Sequence, residues 1–261
     1  MRLLPRRLRH GEEATLVEHL GELRARIVVS LVALAVGFVA AYAIHGRILD
    51  WLNRPLPKGI SKPVTFSPAE PFLTSVKVSL LAGFLLALPI ILWQVWGFLA
   101  PAVAEHSQRV ISLFVALATV LLVGGVVFGY YIALPAAIGF LTNFDKAHYN
   151  IQLRAKDYYS FTTLVLFAMA VVFELPLFVL ALVRLRIVTA AQLRRGWRVG
   201  IVSVVALGVA LPGVDPVTTT VETVPLLILY FLAVGLASFL EPRWREARET
   251  ETETETAPSA G

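Results

Sequence analysis

Six apolar stretches run along the chain: Ile27 to Ile44, Leu73 to Ala100, Val110 to Leu134, Phe161 to Val183, Val199 to Leu211, and Val217 to Leu240. Short charged stretches separate them, and most reach the about 17 to 25 residues that a helix needs to cross a hydrocarbon core. A transmembrane barrel would show segments of about ten residues alternating in polarity instead, so helices are expected. The fifth stretch has only 13 residues, about 20 Å of helix against a core of about 30 Å. "LPGVDPVTTT" follows it at 211 to 220, two prolines and a glycine around Asp215. The fifth and sixth stretches therefore read as a hairpin of short helices. The pattern predicts an all-α, polytopic membrane protein with six transmembrane helices, the fifth and sixth short.

Composition agrees: 57% of the 261 residues are hydrophobic and 16% charged, against about 25% charged in a typical soluble domain. Even parity puts both termini on one side. With the N-terminus in the cytoplasm, 15 of the 23 Lys and Arg residues face inside and 8 outside, as the positive-inside rule requires. The net charge of +5 does not point to nucleic acid, because the basic residues flank the apolar stretches instead of forming one aromatic-laced patch. Residues 1 to 14 form a basic cytoplasmic segment, 15 to 240 the membrane domain, and 241 to 261, with its "RETETETETAP" run, a disordered acidic tail. Met1 to His10 is basic, but no cleavage-site pattern precedes the first apolar run, so the first helix is expected to be retained. Leu-Pro recurs at 88/89, 134/135, 175/176 and 211/212 with shrinking intervals, which is helix punctuation and not a repeat.

Three places carry candidate chemistry. In "TLVEHLGELRAR" (15 to 26), Thr15 and Glu18 have capping-box spacing, so a helix is expected to begin at Leu16. Leu16, Leu20, Leu23 and Ile27 share one face, and His19, Glu22 and Arg26 another. Glu22 precedes Arg26 by four, worth about 0.2 to 0.5 kcal/mol to a helix. In "WQVWGFLAPAVAEHSQR" (93 to 109), Trp93, Trp96 and Phe98 suit an interfacial aromatic belt, Pro101 ends the helix, and Glu105 follows. Glu22 and Glu105 thus place two acids near one membrane face, either to receive a cation or to neutralise Arg24, Arg26 and Arg109.

The third place is Glu174, a carboxylate inside "FAMAVVFELPLFVLAL" (167 to 182). A central charge costs about 3 kcal/mol on the insertion scale, and the surrounding apolar residues outweigh it. An unpaired ionised acid facing lipid is excluded, so Glu174 is protonated, reached by water, or opposite a polar group. Pro176 removes an amide donor and crowds the carbonyl of Val172, so a kink beside the acid is expected.

Catalytic apparatus is missing. All five histidines fall outside the apolar stretches, Asp215 is alone at the hairpin tip, and there are neither cysteines nor a phosphate-cradling glycine loop. No enzyme, cofactor or metal is expected.

Six motifs, "HLGELRAR" (19 to 26), "RPLP" (54 to 57), "SPAEPF" with Lys77 (67 to 77), "WQVWGFLAPA" (93 to 102), "FELP" (173 to 176) and "LPGVDP" (211 to 216), occur in an order that resembles the TatC family, the polytopic receptor subunit of the twin-arginine protein translocase. The resemblance covers about residues 15 to 240. It implies an inner-membrane signal-peptide receptor that binds the paired arginines of folded cargo proteins and draws on the proton-motive force. It also implies single-span TatA/TatB-type partner subunits and assembly into hetero- and homo-oligomers in the lipid bilayer. By this resemblance Glu22, Arg24, Phe98, Pro55 and Glu105 are signal-peptide positions, and Glu174, Asp215 and Leu211 form a partner-facing membrane site. Two departures stand out. The family's second cytoplasmic glutamate falls at Ser107, two residues after Glu105, about 200° round a helix. Leu211 stands where many relatives have threonine. The alternative from residues alone is a small proton-coupled secondary transporter with Glu174 as carrier, which wants internal symmetry and a second midplane polar group, and the sequence reading finds neither.

Overall fold

The computed structural model describes residues 16 to 57, 60, 62 to 99, 108 to 149, 151 to 213 and 215 to 256. Among them the chain is helical apart from its turns and one isolated bridge between Val64 and Arg154. The helices are α1 (Leu16–Ala43), α2 (His45–Asn53), α3 (Glu70–Leu99), α4 (Gln108–Phe128), α5 (Leu134–Asn143), α6 (Ala155–Val172), α7 (Leu175–Arg184), α8 (Ala190–Arg195), α9 (Trp197–Ala210) and α10 (Pro216–Thr256). A π-helical turn, Gly129–Ala133, joins α4 to α5 in one continuous rod.

Five rods are long and apolar enough to cross a membrane: Leu20–Ala43, Glu70–Phe98, Ser112–Asn143, Ala155–Arg184 and Pro216–Glu246. The sixth apolar helix, Trp197–Ala210, is shorter. Six transmembrane elements therefore stand, and one detail changes: only the fifth is short. The sixth extends because Pro216 occupies the first helical position, where a proline is tolerated, and Pro225 does not interrupt the assigned helix.

α10 also runs on to Thr256, where the sequence reading expects disordered tail from residue 241. Glutamate is a good helix former, and the first turns beyond Leu240 are tied down. Glu241 Oε2 accepts from the Ala190 amide at 2.8 Å, Glu241 pairs with Arg245 at 3.8 Å, and the Arg243 guanidinium lies 4.2 Å from the Phe239 ring centroid.

α1 runs antiparallel along α3, and α6 packs against α3 and α4, while α10 lies against α7 and α9. The N-terminus of α1, the C-terminus of α3 and the C-terminus of α7 share one end of the bundle; α2, the N-terminus of α3 and the start of α6 share the other. At this second end tyrosines bond to the last residues of α2, where Trp51 O also accepts the Arg54 amide. Tyr130 donates to Trp51 O at 2.8 Å and Tyr158 to Leu52 O at 2.6 Å, while Tyr159 donates to Asn53 Oδ1 at 2.8 Å. Trp51 stacks on Tyr130 with centroids 3.9 Å apart. Beside them the segment before α3 is clasped to the segment before α6. Val64 donates to Leu153 O at 2.9 Å, Ala155 to Val64 O at 2.7 Å, and Arg154 binds Glu70.

Apolar side chains also cover the outside: Leu31, Val36 and Val39 on α1, Leu113 and Val120 on α4, and Val199 and Val202 on α9 are all well exposed. Such a surface fits hydrocarbon and not water.

Candidate guanidinium site and intramembrane acids

α1 is helical from Leu16, the first described residue, and carries Glu22 and Arg26 one turn apart on a common face; Thr15, the cap expected from the sequence, lies outside the described residues. Arg26 donates to Glu22 Oε1 twice, from Nε at 3.0 Å and from Nη2 at 2.6 Å. Its third nitrogen, Nη1, reaches α3, lying 3.3 Å from Gln94 O and 3.5 Å from Gln94 Oε1. The pair is sheltered but reachable, with about a fifth of each side chain exposed (19% and 20%). The floor of this place is Gly97: a β-carbon there would stand 2.3 Å from Arg26 Nη1 and 3.0 Å from its Cζ. A side chain at this position would push the guanidinium aside. Arg24 points to solvent on the same turn, and Phe98 is half-buried next to Gly97.

Glu22, Arg24 and Phe98 are therefore gathered at one end of the bundle. Pro55 is not with them. It follows α2 at the opposite end, beyond the whole length of α1, which at 1.5 Å per residue is about 40 Å. Glu105 and Ser107 lie outside the described residues. The sequence reading misses Gln94, Gly97 and the Arg26 contact across to α3, because nothing local in "WQVWGF" announces a partner 68 residues away.

Glu174 sits in a break of the membrane rod. α6 ends at Val172, the residue whose carbonyl the Pro176 ring crowds, and α7 restarts at Leu175 with the proline in its first turn. The Glu174 amide donates to Val171 O at 3.1 Å, and its carbonyl accepts from Phe178 at 3.0 Å, so both backbone groups of Glu174 stay bonded across the kink. Both carboxyl oxygens are buried, and neither has a hydrogen-bond partner among the described residues. The side chain is in effect a polar group held ready inside an apolar wall.

Asp215 has a structural task. Its Oδ1 accepts from the Thr218 amide at 2.8 Å and its Oδ2 from the Thr218 hydroxyl at 2.5 Å. This is the side-chain cap of α10, three residues before the bonded amide, a contribution of about 1 kcal/mol. Leu211 closes α9, donating to Leu207 O and Gly208 O, and packs into the core on both sides of the turn.

A second intramembrane acid escapes the sequence reading. Glu222 lies inside the Pro216–Glu246 rod, is fully buried, and has both carboxyl oxygens without a partner among the described residues. It folds back toward the turn between α9 and α10, since a β-carbon on Gly213 would stand 3.4 Å from its Oε2. The sequence reading includes Glu222 in its sixth apolar stretch, Val217 to Leu240, without singling it out.

Among the described residues no cluster of His, Asp or Glu could hold a metal ion.

The family model for the Sec-independent protein translocase protein (TatC) matches residues 18–225. The chain is 31% identical over 260 residues to a Sec-independent protein translocase protein TatC of Koribacter versatilis, covering 95% of this chain and 96% of that one. It is 35% identical over 231 residues to the TatC of Deinococcus radiodurans, covering 86% of each. A crystal structure of the twin-arginine translocase receptor TatC, solved in the detergent DDM, superposes with a TM-score of 0.75 at 30% identity, covering 84% of this chain and 99% of that one. The six-helix architecture, the order of the motifs and these likenesses agree, and the chain belongs to the TatC family of multi-pass membrane translocase components.

Proposed function

We propose that this chain is the signal-peptide receptor and membrane core of a twin-arginine translocase, exporting folded proteins that carry Arg-Arg signal peptides. Its location is the inner (cytoplasmic) membrane, both termini face the cytoplasm, and the proton-motive force supplies the energy. The observation that carries the reading is Glu22: a carboxylate at the rim of the bundle, a fifth exposed, already engaged by a guanidinium that also reaches Gln94 of α3. A planar guanidinium makes forked, charge-assisted bonds to a carboxylate that an ammonium cannot copy, so such a site prefers arginine over lysine. Arg24, about 200° round α1 from Glu22, and Phe98, beside Gly97, lie at the same end of the bundle, and Glu105 is the candidate for a second acid. Pro55, at the far end, has no part in that contact.

Glu174 is the polar station for partner helices. A buried carboxyl without a partner costs a few kcal/mol, and that cost is relieved when a hydroxyl, amide or cationic group from a single-span TatA/TatB-type subunit reaches the break between α6 and α7. Leu211 and Asp215 shape the turn beside the short fifth helix, where such a subunit also fits. The chemistry is binding and passage with no covalent step. Purifying the protein with a folded reporter fused to an Arg-Arg signal peptide tests the reading. Retention of that reporter and loss of a Lys-Lys version are expected, and equal retention of both defeats it.

A further inference from the structure

We propose that Arg26 is a resident competitor, a built-in guanidinium that occupies the cargo-arginine place on Glu22 until a signal peptide displaces it. This rests on the reading of Glu22 as the receptor acid. The site around Arg26 has the parts of a guanidinium pocket. Glu22 takes two of its nitrogens, Gln94 lies against the third, and Gly97 leaves the space for the flat group to lie against α3. Both bonds to the acid end on the same oxygen, Oε1. The resident pairing is thus one-sided, and an incoming arginine that spans both carboxylate oxygens makes the stronger, forked arrangement.

Exchange of one guanidinium for another leaves the charge of the pocket unchanged, so the site never holds an uncompensated acid while it waits. An incoming lysine gains no forked geometry with which to outcompete Arg26, so the resident group sharpens the preference for arginine. Arg26 is therefore a specificity-setting residue, and its removal makes the receptor bind more tightly and discriminate less. A mere tie between α1 and α3 would have the opposite consequence, because untying the helices loosens the acid as well.

The test measures the affinity of a fluorescent signal peptide, in Arg-Arg and Lys-Lys versions, for the full-length protein in nanodiscs. Two variants are compared with the parent: Arg26→Gln, which deletes the competitor, and Arg26→Lys, which keeps the charge beside Glu22 but not the planar fork. Both are expected to bind the Arg-Arg peptide about two- to fivefold more tightly, the range that loss of a partly exposed ion pair covers, with a narrower gap to Lys-Lys. Unchanged or weaker binding overturns the proposal. If Arg26→Gln fails to accumulate in the membrane, Arg26→Lys decides alone. A parent protein that binds both peptides equally refutes the receptor reading itself, whereas a discriminating parent with variants that do not tighten refutes only the competitor.

Discussion

Gly37 on α1 and Gly83 on α3 meet backbone to backbone: a β-carbon on Gly37 would stand 2.4 Å from the Gly83 carbonyl oxygen, and one on Gly83 2.5 Å from the Phe38 amide nitrogen. Small residues let helices in lipid approach closely enough for packing to hold them together, since the hydrophobic effect does not act between them. This crossing fixes the angle at which Glu22 and Arg26 of α1 face Gln94 of α3. Gly37→Ala or Gly83→Ala forces the helices apart and is expected to cost about 1 to 3 kcal/mol, as overpacking does. The expected observations are reduced accumulation in the membrane and a lower thermal midpoint in detergent.

Arg154 and Glu70, 84 residues apart, clasp the two connecting segments at the far end. Glu70 is 5% exposed and accepts both from Arg154 Nε at 2.6 Å and from the Phe66 amide at 2.9 Å. Arg154→Ala removes one partner of the pair and leaves the carboxylate under-compensated, and a lower thermal midpoint is expected. Arg154→Lys keeps the charge without the fork and is expected to fall between parent and alanine variant in thermal unfolding.

Asp215→Ala deletes the cap of α10 and is expected to destabilise by about 1 kcal/mol, with Asp215→Asn close to parent. Limited proteolysis near the turn between α9 and α10 reads this directly, with the alanine variant cut faster. Equal cutting of both variants contradicts the capping role.

For Glu174 the comparison is Gln against Leu. Gln keeps a polar group in the break between α6 and α7 and is expected to retain most partner-subunit copurification, while Leu loses it. Equal retention by both assigns Glu174 to the fold alone.

Local patterns were legible in the sequence, and long-range ones were not. The Glu22–Arg26 pair, the break at Glu174 and Pro176 and the shortness of α9 all depend on residues within about one turn of each other. The clasp between Glu70 and Arg154, the tyrosines that close α2 and the reach of Arg26 to Gln94 join residues 68 to 106 positions apart, and no local pattern encodes such partners. Pro55 shows the same limit from the other side: the motif that holds it is clear, yet only the path of α1 places it a membrane's thickness from Glu22. Glu222 lies in a stretch that the sequence marks only as apolar, and its full burial shows once the helix around it is placed.

The central claim is that Glu22, at the end of the bundle shared by α1 and α3, receives the arginines of a signal peptide. The most direct measurement is photo-crosslinking from a probe placed beside the Arg pair of a signal peptide, mapped on the full-length protein and on Glu22→Ala. Crosslinks are expected on the stretch around Glu22, Gln94 and Phe98, and they fall by about tenfold in Glu22→Ala, as loss of a charge-assisted contact requires. Undiminished crosslinks in Glu22→Ala, or crosslinks centred on Pro55 at the opposite end, would contradict it.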